Sequence, residues 1–487
     1  MRNGIKLGVL MTLIATGFCL LAEAAEPSAG DIQPTPSGMS YGSRIQRTMN
    51  LLGTSTPERH NKVRILIYGQ SISGGPWCEA IVKKLKTDFP NADLELENRA
   101  IGGFNAYGLI DTAESDLYPF YPDLVIFHAY GGTEGASGKM CTLERLYRNL
   151  QIRTTAEMLV LTHHVAGKDD SDREKNMSVH DSESKVIRKL ADKYAYEVAD
   201  IRPDWKKEVE SNGGRQMEFL SDGIHLNAKG HELMARLVCQ HFKFNPEQKP
   251  YWRETVKVYG ADGERWKSDK GELPSQGEIL SKPLKFQFEG NRIDLLAMPV
   301  KEEKPGTAKI LIDGKIPSAI PGVYAATRPS QAPKCWWPAL KRVEIGSGAA
   351  PVAEDWTLSF TKINDNVTEF EYDLKGSVTG PDGSGNNKAK FTSKSGRMLI
   401  DPQLFTVTSA FINFKEAPKP GFEVKWSVVA KCVDVWRPNL SIDSSKEDRA
   451  TIAQGLANSS HTLEIIPNGD GPVGLKAIVV YQPTLKE

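Results

Sequence analysis

Apolar and polar positions are arranged in two different ways along this chain. Between residues 62 and 242, short apolar runs alternate with segments in which apolar residues recur every four positions, as at Trp77, Ile81 and Leu85. The runs are typical of buried strands and the four-residue period is typical of helices. Strands are predicted at residues 63–68, 93–98, 123–128, 157–163 and 196–200. Strands that alternate with helices predict an α/β three-layer sandwich around a central parallel sheet.

After about residue 245 the helical period fades and short alternating runs dominate, among them KFQFEG, WTLSFTKI and KAIVVYQ. Turn pairs such as Asp313-Gly314 and Asp382-Gly383 lie between such runs. This pattern predicts an antiparallel all-β sandwich, jelly-roll-like, over residues 246–487. The stretch GPDGSGNNK, residues 380–388, is interpreted as a mobile hairpin tip.

The N-terminus has the pattern of a targeting segment. Arg2 and Lys6 precede the apolar run LGVLMTLIATGFCLLA, and the small residues Ala22 and Ala24 follow it. This predicts a secretory signal peptide at residues 1–24, with a membrane anchor as the alternative. Cleavage would leave an exported protein, periplasmic or extracellular, with no stable membrane span. Residues 25–61 are interpreted as a lead-in or linker with one short helix near residues 43–52, and residues 62–245 as the α/β domain.

Composition narrows the range of partners. The 61 basic and 61 acidic residues give a net charge of zero, whereas nucleic-acid binding requires a basic excess. Five cysteines follow the predicted leader, an odd number that leaves at least one unpaired in an oxidising compartment. Cys335 and Cys432 are candidates for a disulfide. No cysteine spacing matches a zinc site, so no metal is expected.

Ser71 follows the first predicted strand directly, in RILIYGQSISGG. Ligands of open parallel sheets bind outside the carboxyl ends of the strands, so the Ser71 hydroxyl should lie where a substrate binds. A helix is expected from about residue 76, and the unpaired N–H groups at such a start can face an oxyanion. A serine that merely caps the helix is the alternative.

Asp222 and His225 lie in the loop DGIH, just before the last predicted helix of the α/β domain. A three-residue offset in a turn brings a carboxylate beside an imidazole, and such a pair can take the proton of a serine. A local Asx turn with an ordinary surface histidine is the alternative.

Together the motifs GQS, a glycine turn in NRAIGGFNA and DGIH resemble the SGNH hydrolase superfamily, the GDSL-like esterases, over residues 62–242. The resemblance implies a flavodoxin-like fold, Ser71 as nucleophile, and His225 and Asp222 as its base and orienting acid. It also implies that a glycine N–H stabilises the oxyanion, at Gly103 or, one residue away, Gly102.

Two positions depart from the family pattern. Gln70 stands where an aspartate is usual, and FHAYGGTEG, residues 127–135, lacks the asparagine that donates to the oxyanion in the family. The replacement donor is expected among His128, Tyr130, Thr133 and the backbone of Gly131 or Gly132. A missing donor would cost about 10²- to 10³-fold in rate. In LTHHVAG, residues 161–167, either His163 or His164 can face the site, since adjacent residues of a strand point to opposite sides. His164 is taken as a substrate-binding candidate.

The resemblance implies a serine esterase without metal or cofactor whose substrate is a carbohydrate ester, most of all an O-acetylated polysaccharide or oligosaccharide. A methyl esterase of uronic-acid polymers, an acyltransferase and a non-catalytic glycan-binding protein are the alternatives. The tryptophans of the β half are candidates either for sugar stacking or for the core: Trp336, Trp337, Trp356, Trp426 and Trp436. The pattern leaves the oligomeric state open.

Overall fold

The runs ILIY and LVIF of the first half are apolar on both faces, so both faces of their sheet must be covered by helices. The computed structural model describes residues 41–135, 139–248, 254–268, 273–274, 276–298, 304–438 and 447–486. The signal peptide predicted at residues 1–24 lies outside them. All described residues fall in one compact unit, and the boundary near residue 245 stays a prediction.

Helices and strands alternate through the described part of the first half. They are α1 (Gln46–Gly53), β1 (Lys62–Gly69), α2 (Trp77–Asp88), β2 (Asp93–Asn98), α3 (Ala106–Asp116), β3 (Leu124–His128), α4 (Thr142–Arg153), β4 (Glu157–Leu161), α5 (Asp170–Lys193), β5 (Glu197–Ala199), α6 (Ile201–Ser211) and α7 (Ala228–Cys239). Each of the five predicted strands is therefore present, to within two residues at either end.

The strands form one parallel sheet in the order β2–β1–β3–β4–β5. This is a doubly wound order, in which the ligand crevice opens where the chain reverses direction across the sheet, between β1 and β3. The prediction of an α/β three-layer sandwich of flavodoxin-like type is confirmed. Ser71, two residues after β1, lies at this crevice.

Alternate residues of β1 enter two separate apolar cores. Ile65 and Ile67 pack in a core that also contains residues of α2 and α7, and Leu66 and Tyr68 pack in one built with α3 and α4. All four are essentially inaccessible to water. The helix predicted near residues 43–52 is α1, and its apolar side belongs to the first of these cores. The strand that leads to Ser71 is thus held rigidly from both faces.

The described part of the second half consists mainly of strands. They are β6 (Val256–Gly260), β7 (Arg265–Trp266), β8 (Glu278–Ile279), β9 (Leu284–Ala297), β10 (Ala308–Ile312), β11 (Tyr324–Ala326), β12 (Glu344–Ile345), β13 (Glu354–Ile363), β14 (Phe370–Gly376), β15 (Gly380–Asn386), β16 (Phe391–Thr392), β17 (Met398–Ile400), β18 (Glu423–Ala430), β19 (Val435–Trp436), β20 (Arg449–Pro467) and β21 (Gly474–Tyr481), with one helix, α8 (Val407–Phe414).

These strands form three antiparallel sheets, which confirms the predicted all-β character. The first has the order β19–β10–β20–β9–β21–β6–β7 with β8 on β21, the second β11–β18–β13–β14–β15, and the third β12–β17–β16. The second and third sheets are formed by chain that lies between β10 and β19 of the first. The two larger sheets line separate apolar cores, so the second sheet is an insertion with its own interior.

The prediction that residues 380–388 are a hairpin tip is wrong, because residues 380–386 form β15 and pair with β14. The Asp382 carboxylate accepts hydrogen bonds from the backbone N–H and the hydroxyl of Ser395. Pairing with the preceding strand and the contacts of Asp382 with Ser395, 13 positions away, therefore order a segment whose glycines and polar residues locally favour a turn.

A buried ion pair joins the two halves. The guanidinium of Arg328 donates to both oxygens of Asp116 at 2.7–3.0 Å and to the Arg99 carbonyl at 2.8 Å. Burial raises the pKa of Asp116, and Arg328 offsets only part of that effect. Removing one partner of such a pair would leave a buried charge, so this contact fixes the β half against the helix that follows the glycine turn.

The suggested Cys335–Cys432 disulfide is absent, since all five described cysteines are free thiols. Among the described residues, no helix combines the length and the apolar character that crossing a bilayer requires.

Candidate active site

Ser71 begins a short 3-10 turn, residues Ser71–Gly74, between β1 and α2. The α-helix itself starts at Trp77, close to the predicted position, so the backbone beside Ser71 belongs to the tight turn and not to the helix start. The preceding glycine, Gly69, is required by close approach, because a methyl group on its α-carbon would lie 2.2 Å from the carbonyl oxygen of His128. The serine is thus placed by a turn wedged between β1 and β3.

The structure brings together the three residues predicted to form a triad. His225 Nε2 lies 3.0 Å from Ser71 Oγ, and His225 Nδ1 lies 2.7 Å from Asp222 Oδ2. An ionised carboxylate only accepts, so Nδ1 carries the hydrogen and Nε2 is free to accept the serine proton. The three groups stand in the relation that proton transfer from serine to histidine requires.

Asp222 is held by its own loop. Its Oδ1 accepts hydrogen bonds from the backbone N–H groups of Ile224 and His225 at 3.1 and 2.8 Å. These bonds, the largest being that from His225, lower the pKa of Asp222 to about 2. The side chains of Asp222 and His225 are 54% and 46% exposed. The base therefore stands at an open surface, beside a carboxylate that stays ionised at every pH of interest.

Gln70 fills the position where the family has aspartate, and it connects Ser71 to the interior. Its Oε1 lies 2.9 Å from Ser71 Oγ and accepts the Ile72 N–H at 3.5 Å, and its Nε2 lies 3.1 Å from His128 Nδ1. We assign the amide orientation from the Ile72 N–H, which needs an acceptor. His128 then accepts at Nδ1 and carries its hydrogen on Nε2.

The contacts continue beyond His128 to a buried carboxylate. His128 Nε2 lies 3.0 Å from His163 Nδ1, and His163 Nε2 lies 2.9 Å from Glu183 Oε2, at ion-pair distance though off the ideal hydrogen-bond direction. Glu183 Oε1 accepts the N–H of Gly131 at 3.0 Å. We call Gln70, His128, His163 and Glu183 the buried polar chain.

The histidines of this interior are neutral. Burial, above all, holds the pKa values of His128 and His163 well below the ordinary value and lowers those of His164 to about 3 and His180 to about 4. Burial likewise raises the pKa of Glu183. A neutral imidazole donates one hydrogen bond and accepts another, so these histidines can link their neighbours. Their low pKa values make them weaker proton acceptors than an ordinary histidine.

The structure does not bring His164 into contact with substrate space, because its side chain is fully buried. Its Nε2 lies 2.8 Å from the carbonyl oxygen of Ile224, the residue before the base. Arg202, also buried, donates to the carbonyls of both His163 and His164. His164 supports the loop of the triad from below.

Three of the predicted oxyanion donors are engaged elsewhere or needed for packing. Both ring nitrogens of His128 face Gln70 and His163, and the Gly131 N–H is bonded to Glu183. Gly132 is a packing glycine, because a methyl group on it would lie 2.7 Å from the β-carbon of Ala106. The His128 ring and the Gly131 N–H are therefore not free to donate to an oxyanion.

Gly102, one of the two glycines that the resemblance implies as donors, lies beside Ser71. A methyl group on Gly102 would lie 3.6 Å from the β-carbon of Ser71, so the glycine turn runs directly beside that serine. The Gly102 carbonyl accepts hydrogen bonds from the indoles of Trp336 and Trp337 at 2.8 and 2.7 Å. These tryptophans come from the inserted part of the β half, which therefore contributes to the site.

The sequence reasoning missed the role of Glu183 and the contact of the two tryptophans with the glycine turn. Glu183 lies in a polar stretch of α5 whose sequence predicts a solvent-exposed helix face. Nothing in the neighbouring residues indicates that the Glu183 side chain is buried. The adjacent glycines in NRAIGGFNA and the adjacent tryptophans in KCWWP were visible, but nothing local links them. Among the described residues, no group of three or more His, Cys, Asp or Glu side chains forms a metal site.

Comparison with known proteins gives similarity to solved structures alone, since no family model and no curated protein matches. A protein described as a GDSL-like lipase from Parabacteroides merdae is 17% identical and covers 38% of this chain and 97% of its own, with a TM-score of 0.34. Axe2, an acetylxylan esterase from Geobacillus stearothermophilus, is 16% identical and covers 39% and 98%, with a TM-score of 0.32.

A third structure, the acetyl xylan esterase AlAXEase, is 25% identical and covers 36% of this chain and 98% of its own, with a TM-score of 0.31. These are esterases and lipases of the kind that the sequence motifs resemble, and the similarity leaves most of the chain unmatched. At such TM-scores they carry no conclusion about activity, which follows from the chain's own residues.

Proposed function

We propose that this chain is an exported serine esterase that hydrolyses ester substituents, most of all O-acetyl groups, on a polysaccharide or oligosaccharide. The observation that carries the proposal is the hydrogen-bonded series Ser71 Oγ, His225 Nε2 and Asp222, with separations of 3.0 and 2.7 Å. A serine that bonds to a histidine held by a carboxylate is the arrangement that performs acyl transfer.

In the proposed reaction, Ser71 Oγ attacks the ester carbonyl carbon while His225 Nε2 takes the hydroxyl proton. The tetrahedral oxyanion is stabilised by backbone N–H groups at the glycine turn. It collapses as His225 returns the proton to the departing sugar hydroxyl, which leaves an acyl-serine. Water then attacks this ester with His225 as base, and the carboxylic acid and free Ser71 are released.

A carbohydrate ester suits the openness of the site. The half-exposed side chains of Asp222 and His225 leave the serine accessible from the surface, as a substituent on a long or branched glycan requires. The acetyl and sugar assignment extends the resemblance to a superfamily rich in carbohydrate esterases, and the acetylxylan esterases named above act on such substrates. Export follows from the predicted signal peptide.

The first experiment compares wild type, Ser71→Ala and Ser73→Ala on p-nitrophenyl acetate. Ser73 is a buried serine two residues along the same turn and is outside the triad, so it controls for damage to the turn. We expect Ser71→Ala to lose at least about 10³-fold in kcat, and Ser73→Ala to keep the wild-type rate. Equal rates for all three proteins would favour a glycan-binding protein instead.

The second experiment identifies the ester. Wild type is incubated with acetylated xylan, acetylated pectin and methylated pectin, and released acetate and methanol are measured. We expect acetate. Methanol alone would assign a methyl esterase with the same triad, and acyl groups captured by added sugars in preference to water would assign an acyltransferase.

A further inference from the structure

The segment that contains Trp336 and Trp337 is held in a fixed shape beside the glycine turn. The Ala332 N–H donates to the Trp337 carbonyl at 2.9 Å, and Lys334 forms an ion pair with Glu416 at 2.9 Å. The ring of Phe414 packs edge-on against Trp336 at 4.8 Å and against Trp337 at 5.3 Å. The two indoles are therefore presented by a preformed surface.

Both indoles donate to the same acceptor, the carbonyl oxygen of Gly102. A carbonyl has two lone pairs, so these two donors occupy it fully. In a trans peptide the carbonyl and the following N–H point in opposite directions. The pair of indoles thus fixes the plane of the Gly102–Gly103 peptide and turns the Gly103 N–H away from the tryptophans.

The glycines allow this close approach. A methyl group on Gly102 would lie 3.0 Å from Trp336 Nε1, and one on Gly103 would lie 3.0 Å from Trp337 Cζ2. Gly103 also has φ of +83°, a conformation that favours glycine. Two adjacent glycines face two adjacent tryptophans, and a side chain at either glycine would crowd the indole against it.

Trp336 also exposes its ring close to Ser71. The position of a methyl group on Gly102 is 3.0 Å from Trp336 Nε1 and 3.6 Å from Ser71 Cβ, so those two atoms are separated by at most the sum of these distances. Trp336 is 53% exposed, whereas Trp356, Trp426 and Trp436 are core residues. A large aromatic ring that stays exposed and rigid at this place offers a face to a ligand.

We propose that Trp336 and Trp337 are part of the active site. The sugar ring that carries the ester stacks on Trp336. The two indole N–H groups hold the Gly102–Gly103 peptide in the orientation in which the Gly103 N–H donates to the oxyanion. This inference rests on the proposed esterase function and assigns to it a pyranose subsite built by the β half. Trp337, wedged between Phe104 and Phe414, is a positioning residue.

The test compares p-nitrophenyl acetate with acetylated xylotetraose on Trp336→Ala, Trp336→Phe and Trp337→Phe. We expect Trp336→Ala to raise KM for the sugar ester at least about 10-fold more than for p-nitrophenyl acetate, and Trp336→Phe to recover most of that loss by restoring a ring. We expect Trp337→Phe to lower kcat several-fold on both substrates with little change in KM. Trp266→Ala, at a 40% exposed tryptophan of another sheet, is the matched control.

Equal effects of Trp336→Ala on the two substrates would overturn the sugar subsite, and unchanged kcat in Trp337→Phe would overturn the positioning role. Binding of xylotetraose to Ser71→Ala, measured by calorimetry with and without Trp336→Ala, separates this inference from the proposed function. Binding that depends on Trp336, together with a wild-type protein that hydrolyses neither ester, would refute the esterase and retain the subsite.

Discussion

Two sets of polar contacts meet at Ser71 Oγ, one exposed and one buried. On the exposed side, His225 and Asp222 have about half of their side-chain surface in contact with water. On the buried side, Gln70 leads through His128 to His163, and all three are at most 4% exposed. Only the exposed set contains a histidine whose proton exchange with solvent is unhindered. We therefore expect the exposed set to transfer protons and the buried set to hold Ser71 in position.

Asp222→Asn should show the largest effect. It should lower kcat and leave the free energy of unfolding nearly unchanged. Asn keeps Oδ1, which accepts the two loop N–H groups, but loses the negative charge that orients His225. The same change at a buried triad costs about 10⁴-fold; here, where water screens the charge, we expect about 10²- to 10³-fold in kcat. The free energy of unfolding should stay within about 0.5 kcal/mol. Initial rates on p-nitrophenyl acetate and urea titrations measure both quantities.

Glu183→Gln should show the reverse pattern, with stability affected more than rate. Glu183 offers acceptors both to the Gly131 N–H and towards His163 Nε2, whereas glutamine has a single acceptor oxygen. The unmatched buried group should lower the free energy of unfolding by about 1–3 kcal/mol, while kcat changes less than tenfold. Glu174→Gln, at an exposed position of the same helix, is the control. A rate loss as large as that of Asp222→Asn, with stability intact, would make the buried polar chain catalytic.

A third prediction concerns how the free energy of unfolding depends on pH. Burial lowers the pKa of His180 to about 4, whereas an unfolded histidine binds a proton below about pH 6.5. Because the unfolded state then holds more protons, the free energy of unfolding should be undiminished above about pH 6.5 and fall between there and pH 4, by up to about 1.4 kcal/mol per pH unit for each such histidine.

His180 faces Glu183 and Asp181, which raise its pKa, and Arg202, which lowers it. His180→Gln should therefore make the pH slope shallower by about one proton, as urea titrations at pH 7.5, 6 and 5 would show. An unchanged slope would mean that His180 is protonated in the folded protein.

The α/β fold could be predicted because its determinants are local. Strands such as β1 and β3 are continuous apolar runs, and the period of α2 is visible at Trp77, Ile81 and Leu85. The three members of the triad could be named because GQS and DGIH are short motifs at fixed places relative to these elements. Their convergence requires only that the sheet be parallel.

Contacts between distant segments could not be predicted. Trp336 and Gly102 are 234 positions apart, and no periodicity connects them. Glu183 is read as a solvated residue of α5 because its neighbours are polar, yet it turns towards His163. The β15 segment has the composition of a turn and becomes a strand through pairing with β14. For Trp336 and Glu183 the deciding partner is remote in the chain, whereas β15 pairs with the strand that directly precedes it.

The second sheet, the third sheet and the segment that contains Trp336 and Trp337 are all formed by residues between β10 and β19. These two strands are neighbours in the first sheet, where Lys309 pairs with Val435. An insertion whose two ends are adjacent can be replaced by a short turn without changing the order of the strands that remain. A protein engineer could therefore exchange this part as a cassette, provided that the replacement supplies partners for the Asp116 carboxylate and the Gly102 carbonyl. Such an exchange would change the surface beside Ser71 while leaving His225 and Asp222 in place.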